Sequence, residues 1–344
     1  MRALRPSFIR QRQRGVAVVT ALLLTTLAIT IVASLFWQQQ VQVRAIENQR
    51  MQLQKKWILR GATDWARLIL REDVKQSREV DHLGEPWAVK LQDTKLDQYV
   101  ENGRDNTDAS DATLSGQIVD AQASYNINNL ASNGIVNERE VAAFGRLLSI
   151  LQLSSGLAQQ AAAVIAQTQQ KVAAPSPNAP DSSASSSASF GAASNPATDD
   201  STPAVKFFRF TQIDDLLSVP GFTPEIVQKL RPYVAALPRG TALTPVNVNT
   251  APAEVIAARI DGVSLSDAAQ IVASRDRAYF RNITEFKSNY QDKMKTVTDG
   301  DISVWTSYFF VNGRVRMSRT ALDVSVLVQR SQLGSTSVLW VREN

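Results

Sequence analysis

The stretch from Arg14 to Trp37, RGVAVVTALLLTTLAITIVASLFW, decides how this chain is organised. Residues 16–37 form a run of 22 positions without a charged residue, a glycine or a proline. At a rise of about 1.5 Å per residue, a helix of this length is about 33 Å long and can cross the hydrocarbon core of a bilayer. Five arginines and no acidic residue precede Gly15. Because positively charged flanks stay in the cytoplasm, the sequence predicts one membrane span with the rest of the chain on the opposite side.

Two simpler interpretations of this apolar run stay open. A cleaved secretory signal peptide has an apolar region of roughly 7–15 residues, followed by small residues at the cleavage site. Here the run is longer, and it ends in Phe36 and Trp37 with three glutamines after them. An uncleaved signal anchor conflicts with none of these features and remains an alternative.

The composition limits the functions that the chain can have. Its 344 residues allow about two domains besides the span. The formal charge of +5 comes from the five arginines before Gly15, because residues 16–344 carry 32 basic and 32 acidic residues. A neutral chain has no strong field for phosphate groups, so we expect no nucleic-acid partner. The chain has no cysteine and one histidine, His82, and it lacks a phosphate-binding glycine loop, so the sequence does not indicate an enzyme.

The helical pattern continues beyond the span. No proline interrupts residues 16–70, which predicts one long helix, half lipid-embedded and half amphipathic. Apolar residues recur with helical spacing and predict one stripe that is buried against the rest of the chain. The stripe consists of Ile46, Leu53, Trp57, Ala62, Trp65, Leu68 and Ile69. Trp57 and Trp65 are therefore expected in the hydrophobic core.

Strand-like segments lie on both sides of a helical region. Segments rich in Val, Tyr, Phe and Trp and bounded by turn residues predict antiparallel strands. They are residues 303–317, 321–329 and 335–342. Residues 117–120 and 123–125 are also predicted to be strands. Residues 138–153 and 157–171 have helical composition and spacing. Residues 171–204, by contrast, are mostly Ala, Ser and Pro, which predicts a disordered loop within the helical region.

A repeat follows this loop. LLSVPGFT at residues 216–223 and AARIDGVS at residues 257–264 each place a glycine turn before a helical segment. The repeat resembles a pair of helix-hairpin-helix motifs, which often bind DNA phosphates through backbone N–H groups. Residues 205–290 carry ten basic and eight acidic residues, too balanced for a phosphate track. We therefore favour a structural use, and a membrane-tethered, periplasmic DNA-binding receptor remains the alternative function.

The start of the chain resembles a known processing signal. A basic leader that ends in glycine before a long apolar helix resembles the leaders of type IV pilins and of type II secretion pseudopilins. The resemblance implies that a prepilin peptidase, recognising Arg14 and Gly15, cuts before Val16. Most members of that family have Glu at the fifth mature position, where this chain has Thr20. The minor pseudopilins of the K class (the GspK family) characteristically lack this Glu, and the resemblance therefore implies that Thr20 places the subunit at the filament tip.

Two further segments resemble the same class. They are Tyr125-Asn126-Ile127-Asn128-Asn129-Leu130, which follows Asp120, and Pro245 to Pro252. The resemblance implies an α+β fold: a pilin-like long N-terminal helix packed on an antiparallel sheet, with a large inserted α-helical domain that contains the helix-hairpin-helix-like repeats. The expected divisions are a cleaved leader at 1–15, the transmembrane half of the helix at 16–37, pilin-like parts at 38–125 and 301–344, and the insert at 126–300.

Calcium is the one cofactor to consider. The loop at residues 101–111, ENGRDNTDASD, is rich in oxygen ligands but does not match the spacing of a calcium hand. It is either a solvated turn or an irregular calcium site that would use Asp105, Asp108 and Asp111. Members of the K class can bind calcium in the α-domain, and the resemblance makes Asp120 a further candidate.

The resemblance also implies a function. The chain would be a minor pseudopilin at the tip of the type II secretion pseudopilus, where it starts or caps the filament that exports folded proteins across the outer membrane. Its partners would be the I- and J-class minor pseudopilins and, through them, the major pseudopilin. Prepilin peptidase and the inner-membrane platform would also contact it, and secreted cargo or the secretin are further candidates. It would be a single-pass inner-membrane protein with its bulk in the periplasm.

Overall fold

The computed structural model describes residues 16–77, 79–96, 112–169, 208–238, 242–293, 297–298, 300–317 and 320–343. Its helices are α1 (Val16–Gln76), α2 (Glu138–Ile150), α3 (Leu157–Gln167), α4 (Pro224–Leu230), α5 (Ala253–Arg259), α6 (Leu265–Arg277) and α7 (Ile283–Asn289). Its strands are β1 (Leu91–Lys95), β2 (Thr113–Asp120), β3 (Tyr125–Asn126), β4 (Ala131–Ser132), β5 (Ile135–Val136), β6 (Val234–Ala235), β7 (Val246–Asn247), β8 (Ile302–Ser303), β9 (Tyr308–Met317), β10 (Thr320–Arg330) and β11 (Thr336–Glu343). The acidic loop at 101–111 and the Ala/Ser/Pro loop at 171–204 lie outside the described residues.

Helix α1 is one continuous element of 61 residues, six residues longer at its C-terminus than the sequence predicts. The lack of proline and of interior charge over residues 16–37 accounts for its unbroken first half. Its most apolar window has a mean hydropathy of 2.5, and none of that window is buried within the chain. This is the one helix in the described part of the chain that is long and apolar enough to span a membrane.

The last third of α1 packs on an antiparallel sheet. The sheet has the strand order β1-β2-β9-β10-β11, so two strands that precede the insert pair with three that follow it. Leu59, Ala66 and Leu70 of the helix pack against alternate residues of β9 and β10, such as Val315 and Val326. The predicted fold class is confirmed, because a long N-terminal helix lies on an antiparallel sheet that a helical region interrupts.

The predicted buried stripe of α1 is wrong, because none of its seven residues is buried. Ala62 and Ile69 are half-buried, and the other five, Ile46, Leu53, Trp57, Trp65 and Leu68, are exposed. Trp57 is 67% exposed and Trp65 is 51% exposed, whereas Leu59, Ala66, Leu70 and Val74 form the face that meets the sheet. Apolar residues do recur with helical spacing, but they form two faces of α1, and the predicted stripe lies on the second, outer face. Periodicity alone does not tell which of two apolar faces a helix buries against its own chain.

The insert has its own core and two units that close on themselves. Strand β3 pairs in parallel with β6, and β7 pairs in parallel with β8, so each unit starts and ends at a short parallel pair. Gly221 precedes α4 with a φ of 89°, and Gly262 joins α5 to α6 with a φ of 80°. Both turns thus need the left-handed conformation that glycine adopts without strain. The identification of the two copies as helix-hairpin-helix motifs stays a prediction.

Candidate functional site: the junction of helix, sheet and insert

The three parts of the fold meet around one buried arginine. Arg330, the last residue of β10, is 1% exposed. Its Nη1 donates to Asp73 Oδ2 at 2.7 Å, near the end of α1, and its Nη2 forms an ion pair with Asp81. Nη2 also donates to the Thr306 carbonyl at 3.2 Å. The guanidinium lies over the ring of Phe309, with 4.6 Å between the guanidinium carbon and the ring centroid. One side chain therefore ties the helix to the sheet.

Asp81 extends this contact to the start of the terminal sheet. Its Oδ2 accepts from the Thr306 backbone N–H at 2.7 Å, and its own N–H donates to the Val304 carbonyl at 2.8 Å. Its carbonyl accepts from Asn247 Nδ2 at 3.2 Å. Asp81 thus contacts the insert, the sheet and Arg330 at once.

Asp120 closes the junction from the other side. It is the last residue of β2, and both oxygens of its carboxylate accept hydrogen bonds. Its Oδ1 accepts from the Gln122 N–H at 2.7 Å, and its Oδ2 accepts from Thr250 Oγ1 and Thr306 Oγ1, each at 2.6 Å, and from Asn247 Nδ2 at 3.0 Å. These bonds join the end of β2, where the chain enters the insert, to Asn247 and Thr250 of the insert and to Thr306 just after it.

Glu85 completes the group of buried carboxylates. Its Oε1 accepts from Ser77 Oγ at 2.6 Å, and its Oε2 accepts from the indole N–H of Trp87 at 2.7 Å and from the His82 N–H at 3.0 Å. These bonds hold the turn after α1 against the sheet, because Trp87 packs edge-on to Phe309.

The charges of the junction do not balance. The junction holds four buried carboxylates, Asp73, Asp81, Glu85 and Asp120, against the one guanidinium of Arg330, which pairs with Asp73 and Asp81. Burial, followed by the negative charge of Glu85, raises the pKa of Asp73 to about 6. Burial raises the pKa of Asp81 to about 7, against the lowering effect of Arg330. Burial also raises the pKa of Asp120. Desolvation disfavours the charged form of each acid.

A second buried ion cluster stiffens the insert. Arg259 of α5 donates from Nη1 to both carboxylate oxygens of Glu140 in α2, each at 2.6 Å, and its Nη2 lies 3.0 Å from Asp301 Oδ1. Tyr125 Oη donates to Glu140 Oε2 at 3.1 Å. Burial, followed by the charge of Glu140, raises the pKa of Tyr125 well above its usual value. The cluster joins α2, α5 and the residues just before β8.

The asparagine run bonds nearby backbone, as the short amide side chain allows. Asn126 Oδ1 accepts from the Asn128 N–H at 3.1 Å and from the Leu237 N–H at 3.0 Å. Asn129 exchanges two bonds with the backbone of Thr244, at 2.9 and 3.0 Å. The run therefore fixes the path of the chain as it leaves the sheet and enters the insert.

The predicted site residues fall in different places. Arg14, Gly15, Asp105, Asp108 and Asp111 lie outside the described residues. Val16 is the first residue of α1, and the Thr20 hydroxyl donates to the Val16 and Ala17 carbonyls, each at 3.0 Å. Thr20 is thus satisfied within its own helix.

Calcium binding stays a prediction, and the junction does not supply a site for it. The ligand oxygens of Asp73, Asp81 and Glu85 lie within 4.8 Å of one another, a spacing that a cation could bridge. Arg330 already supplies the positive charge there, and donors already fill the oxygens of Asp120. These residues do not fit a calcium site.

Of the four carboxylates and the arginine of the junction, only Asp120 was predicted from the sequence as a possible site residue. Asp73 and Arg330 are 257 positions apart, and each reads locally as a charged residue at the end of an element. The one local signal is that Arg330 follows directly on the apolar alternation of β10.

Replacing Arg330 with methionine should strongly destabilise the protein. At pH 8, where Asp73 and Asp81 are both ionised, the variant Arg330→Met leaves these two buried carboxylates without a counter-charge, which costs about 3–5 kcal/mol of unfolding free energy. The matched control is Arg314→Met, because Arg314 pairs with Asp323 on the exposed face of the sheet, with Nη2 and Oδ2 2.9 Å apart. Its melting temperature should stay close to that of the wild type. Thermal unfolding of both purified variants is the measurement, and equal losses would contradict the account.

Stability should fall as the pH rises from about 4 to 7. The folded state keeps a proton on Asp73 up to a pKa of about 6 and on Asp81 up to a pKa of about 7, whereas the unfolded state, with an ordinary carboxyl pKa of 3.8, has already released both. Each such group removes up to about 1.4 kcal/mol per pH unit. Denaturant unfolding of the wild type and of Asp81→Asn at several pH values tests this. The variant should show a shallower decline, and an unchanged slope would show that Asp81 is ionised throughout.

The sequence is similar to proteins of one known family. Two family models, both described as type II secretion system (T2SS), protein K, match residues 123–239 and 246–302. A type II secretion system protein K from Pseudomonas aeruginosa is 28% identical over 337 residues, which cover 96% of this chain and 92% of that protein. One from Aeromonas hydrophila is 26% identical and covers 87% of both chains.

The fold also matches a solved structure. A chain of the GspK-GspI-GspJ complex from the type 2 secretion system of enterotoxigenic Escherichia coli superimposes with a TM-score of 0.61 at 19% identity, covering 87% of this chain and 98% of that one. The two family models together span just over half of the chain. With its long helix, its interrupted sheet and its helical insert, the chain belongs to the type II secretion system protein K family.

Proposed function

We propose that this chain is a minor pseudopilin of a type II secretion system, which lies at the tip of the pseudopilus and starts or caps its assembly. The filament would support export of folded proteins across the outer membrane. Membership of the protein K family supports the role in secretion. The position at the tip rests on the arguments below.

The observation that carries the proposal is the exposure of α1. Every residue from 16 to 50 is exposed in the isolated chain, although residues 16–37 are apolar. Leaving such a surface in water would cost about 25 cal/mol for each Å² of apolar area. This half of the helix therefore needs a bilayer before assembly and the helices of other subunits after it. A single-pass inner-membrane protein with its bulk in the periplasm meets both needs.

The insert lies at the other end of α1. The junction contacts the helix at Asp73, and a helix of 61 residues is about 90 Å long. A bulky domain held at that end would block the addition of a subunit above it. Thr20 fits the same position. By the family resemblance, the Glu that most pilins carry at this site would neutralise the N-terminal amine of the neighbouring subunit. The Thr20 hydroxyl bonds carbonyls of its own helix and offers no carboxylate to such an amine.

The second apolar face of α1 is the surface we assign to partner helices. Trp57, Gly61 and Trp65 follow one another at four-residue spacing, and both tryptophans are half-exposed or more. A Cβ added at Gly61 would meet no atom of the chain within 4 Å. Glycine inside a helix costs about 1 kcal/mol relative to alanine, so the fold of this chain does not explain its presence. A notch between two tryptophans suits a side chain of a neighbouring helix.

The partners follow from the solved neighbour. The complex to which this fold is similar contains GspK with GspI and GspJ. We infer that this chain assembles with the I- and J-class minor pseudopilins of its own system and, through them, with the major pseudopilin. Prepilin peptidase and the inner-membrane platform would act on it earlier, and the role is that of a filament subunit rather than an enzyme.

The alternative of a DNA receptor is disfavoured by the local charges. A phosphate at either glycine turn would approach the N-terminus of α4 or α6, where Glu225 and Asp267 lie in the first turn. Hydrogen bonds from Lys293 and Ser264 lower the pKa of Asp267 to about 2, so this carboxylate stays ionised. Glu225 therefore repels a phosphate at α4, and at α6 the Asp267 carboxylate already accepts from the N–H and the hydroxyl of Ser264 that a phosphate would need.

Cleavage of the leader tests whether the chain is processed as a pseudopilin. In cells with prepilin peptidase, the mature protein should begin at Val16, and Gly15→Ala should leave the leader attached. Intact mass and N-terminal sequencing of the protein made with and without the peptidase measure this. A terminus that does not depend on the peptidase would leave a plain signal anchor as the better description.

Filling the notch tests the partner surface. Gly61→Leu should weaken the complex with purified I- and J-class pseudopilins by at least about tenfold, because the added side chain occupies the place of a partner side chain. Gly300→Leu is the matched control, since Gly300 is exposed and also has no atom within 4 Å of an added Cβ. Equal affinities of the two variants, measured by analytical ultracentrifugation in detergent, would rule the notch out as the contact.

A further inference from the structure

We propose that β11 is a docking edge, on which an extended segment of a neighbouring pseudopilin subunit pairs as an additional strand. This inference rests on the proposed function and concerns a surface other than the helical notch. Its occupant is an extended backbone with alternating apolar side chains and a carboxylate, rather than a helix.

The free edge of β11 determines that its occupant must be an extended segment. Strand β11 pairs with β10 on one side, and it ends the sheet in the described part of the chain. An edge strand presents alternate N–H and C=O groups that only another extended segment can pair in sequence. A helix or a compact side chain cannot satisfy such a row.

The edge carries little of the usual protection against pairing. Val338, Leu339 and Val341 are 38%, 38% and 58% exposed, and residues 336–341 contain no proline and no charged residue. The two charged residues that follow are already engaged, Arg342 with Thr211 and Glu343 with Lys56. A bulge leaves Leu339 unpaired, since the register steps from Leu327–Trp340 to Val328–Val338. Arg67 covers the first residue, Thr336, by donating to its carbonyl at 3.0 Å. These two features leave residues 340–343 as the regular part of the edge.

A groove beside residues 340–343 would receive the apolar side chains of the occupant. It has a volume of about 380 Å³ and lies between α1 and the outer strands. Leu59 of the helix and Val324, Val338 and Val341 of the sheet supply its apolar lining. Because side chains alternate along a strand, every second residue of an added strand would point into the groove.

The charges around the groove favour an acidic occupant. Lys56 pairs with Glu343 at 3.1 Å, and Arg67 pairs with Asp64 at 3.0 Å. Arg60 also lines the groove, and no carboxylate of the described residues forms an ion pair with it. A carboxylate on the incoming strand would match this excess positive charge.

Arg60 also indicates which protein supplies the strand. Its guanidinium carbon lies 5.7 Å from the centroid of the Trp57 ring, so the groove and the surface assigned to partner helices adjoin. A subunit whose helix contacts Trp57 brings the rest of its chain next to β11. We therefore assign the strand to the same pseudopilin subunit.

The edge is ready to receive a strand without rearrangement. On the opposite face of the sheet, Arg342 stacks on Trp340 with 4.2 Å between guanidinium carbon and ring centroid. Its Nη2 donates to the Thr211 carbonyl at 3.2 Å. These contacts hold the end of β11 to the insert.

Amide hydrogen exchange of the full chain in detergent tests the inference. The chain is measured alone and with purified I- and J-class minor pseudopilins. Those amides of residues 340–343 that point away from β10 should exchange at least about tenfold more slowly in the complex. Val341→Lys places a charge in the groove and should abolish this protection. Leu333→Lys is the matched control, because Leu333 is 97% exposed in the turn before β11 and lies off the edge. It should leave the protection intact.

The outcomes distinguish a failure of the docking edge from a failure of the proposed function. If the wild-type complex forms and residues 340–343 exchange as fast as in the free chain, the docking edge is wrong and the proposed function stands. If no complex forms with either partner, the proposed function fails, and the edge inference fails with it. Protection that rises with the concentration of this chain alone would name a second copy as the occupant and overturn the assignment to a partner subunit.

Discussion

Arg330, at the buried end of β10, pairs with two buried carboxylates, and the rest of the structure depends on this contact. It binds the end of α1 through Asp73 and the following turn through Asp81, and Thr306 links it to the bonds around Asp120. A buried charge that loses its partners is far more costly than a broken surface pair. The helix, the sheet and the insert are therefore held in one arrangement by a network that tolerates few changes.

This arrangement gives the proposed function its mechanical basis. A domain that stops filament growth has to stay fixed relative to the helix that joins the filament. The junction supplies that fixation at the sheet, and the cluster of Glu140, Arg259 and Asp301 supplies it inside the insert. The surplus of carboxylates over guanidinium at the junction also links its strength to protonation, because burial raises the pKa of Asp73 to about 6 and that of Asp81 to about 7.

Local patterns predicted the elements well, and long-range contacts were out of their reach. The apolar run of α1, the alternation of Val324, Val326 and Val328 and the asparagine run each carry their signal in adjacent residues. Trp57 and Trp65 were misplaced because an apolar residue on a helix has the same spacing whether its own sheet or another subunit covers it. Asp73, Asp81 and Arg330 were not foreseen as one site, since the fold alone brings them together.

Position in the filament is the central claim, and labelling of assembled pseudopili tests it most directly. An epitope tag placed in the serine-rich run at 182–189, a predicted disordered loop, should tolerate insertion. Gold-labelled antibody and electron microscopy then give the position of this chain along each filament. The account predicts label at one end of a pseudopilus and none along its shaft. Label distributed along the shaft would contradict it, because a subunit that carries the insert would then allow others to add above it.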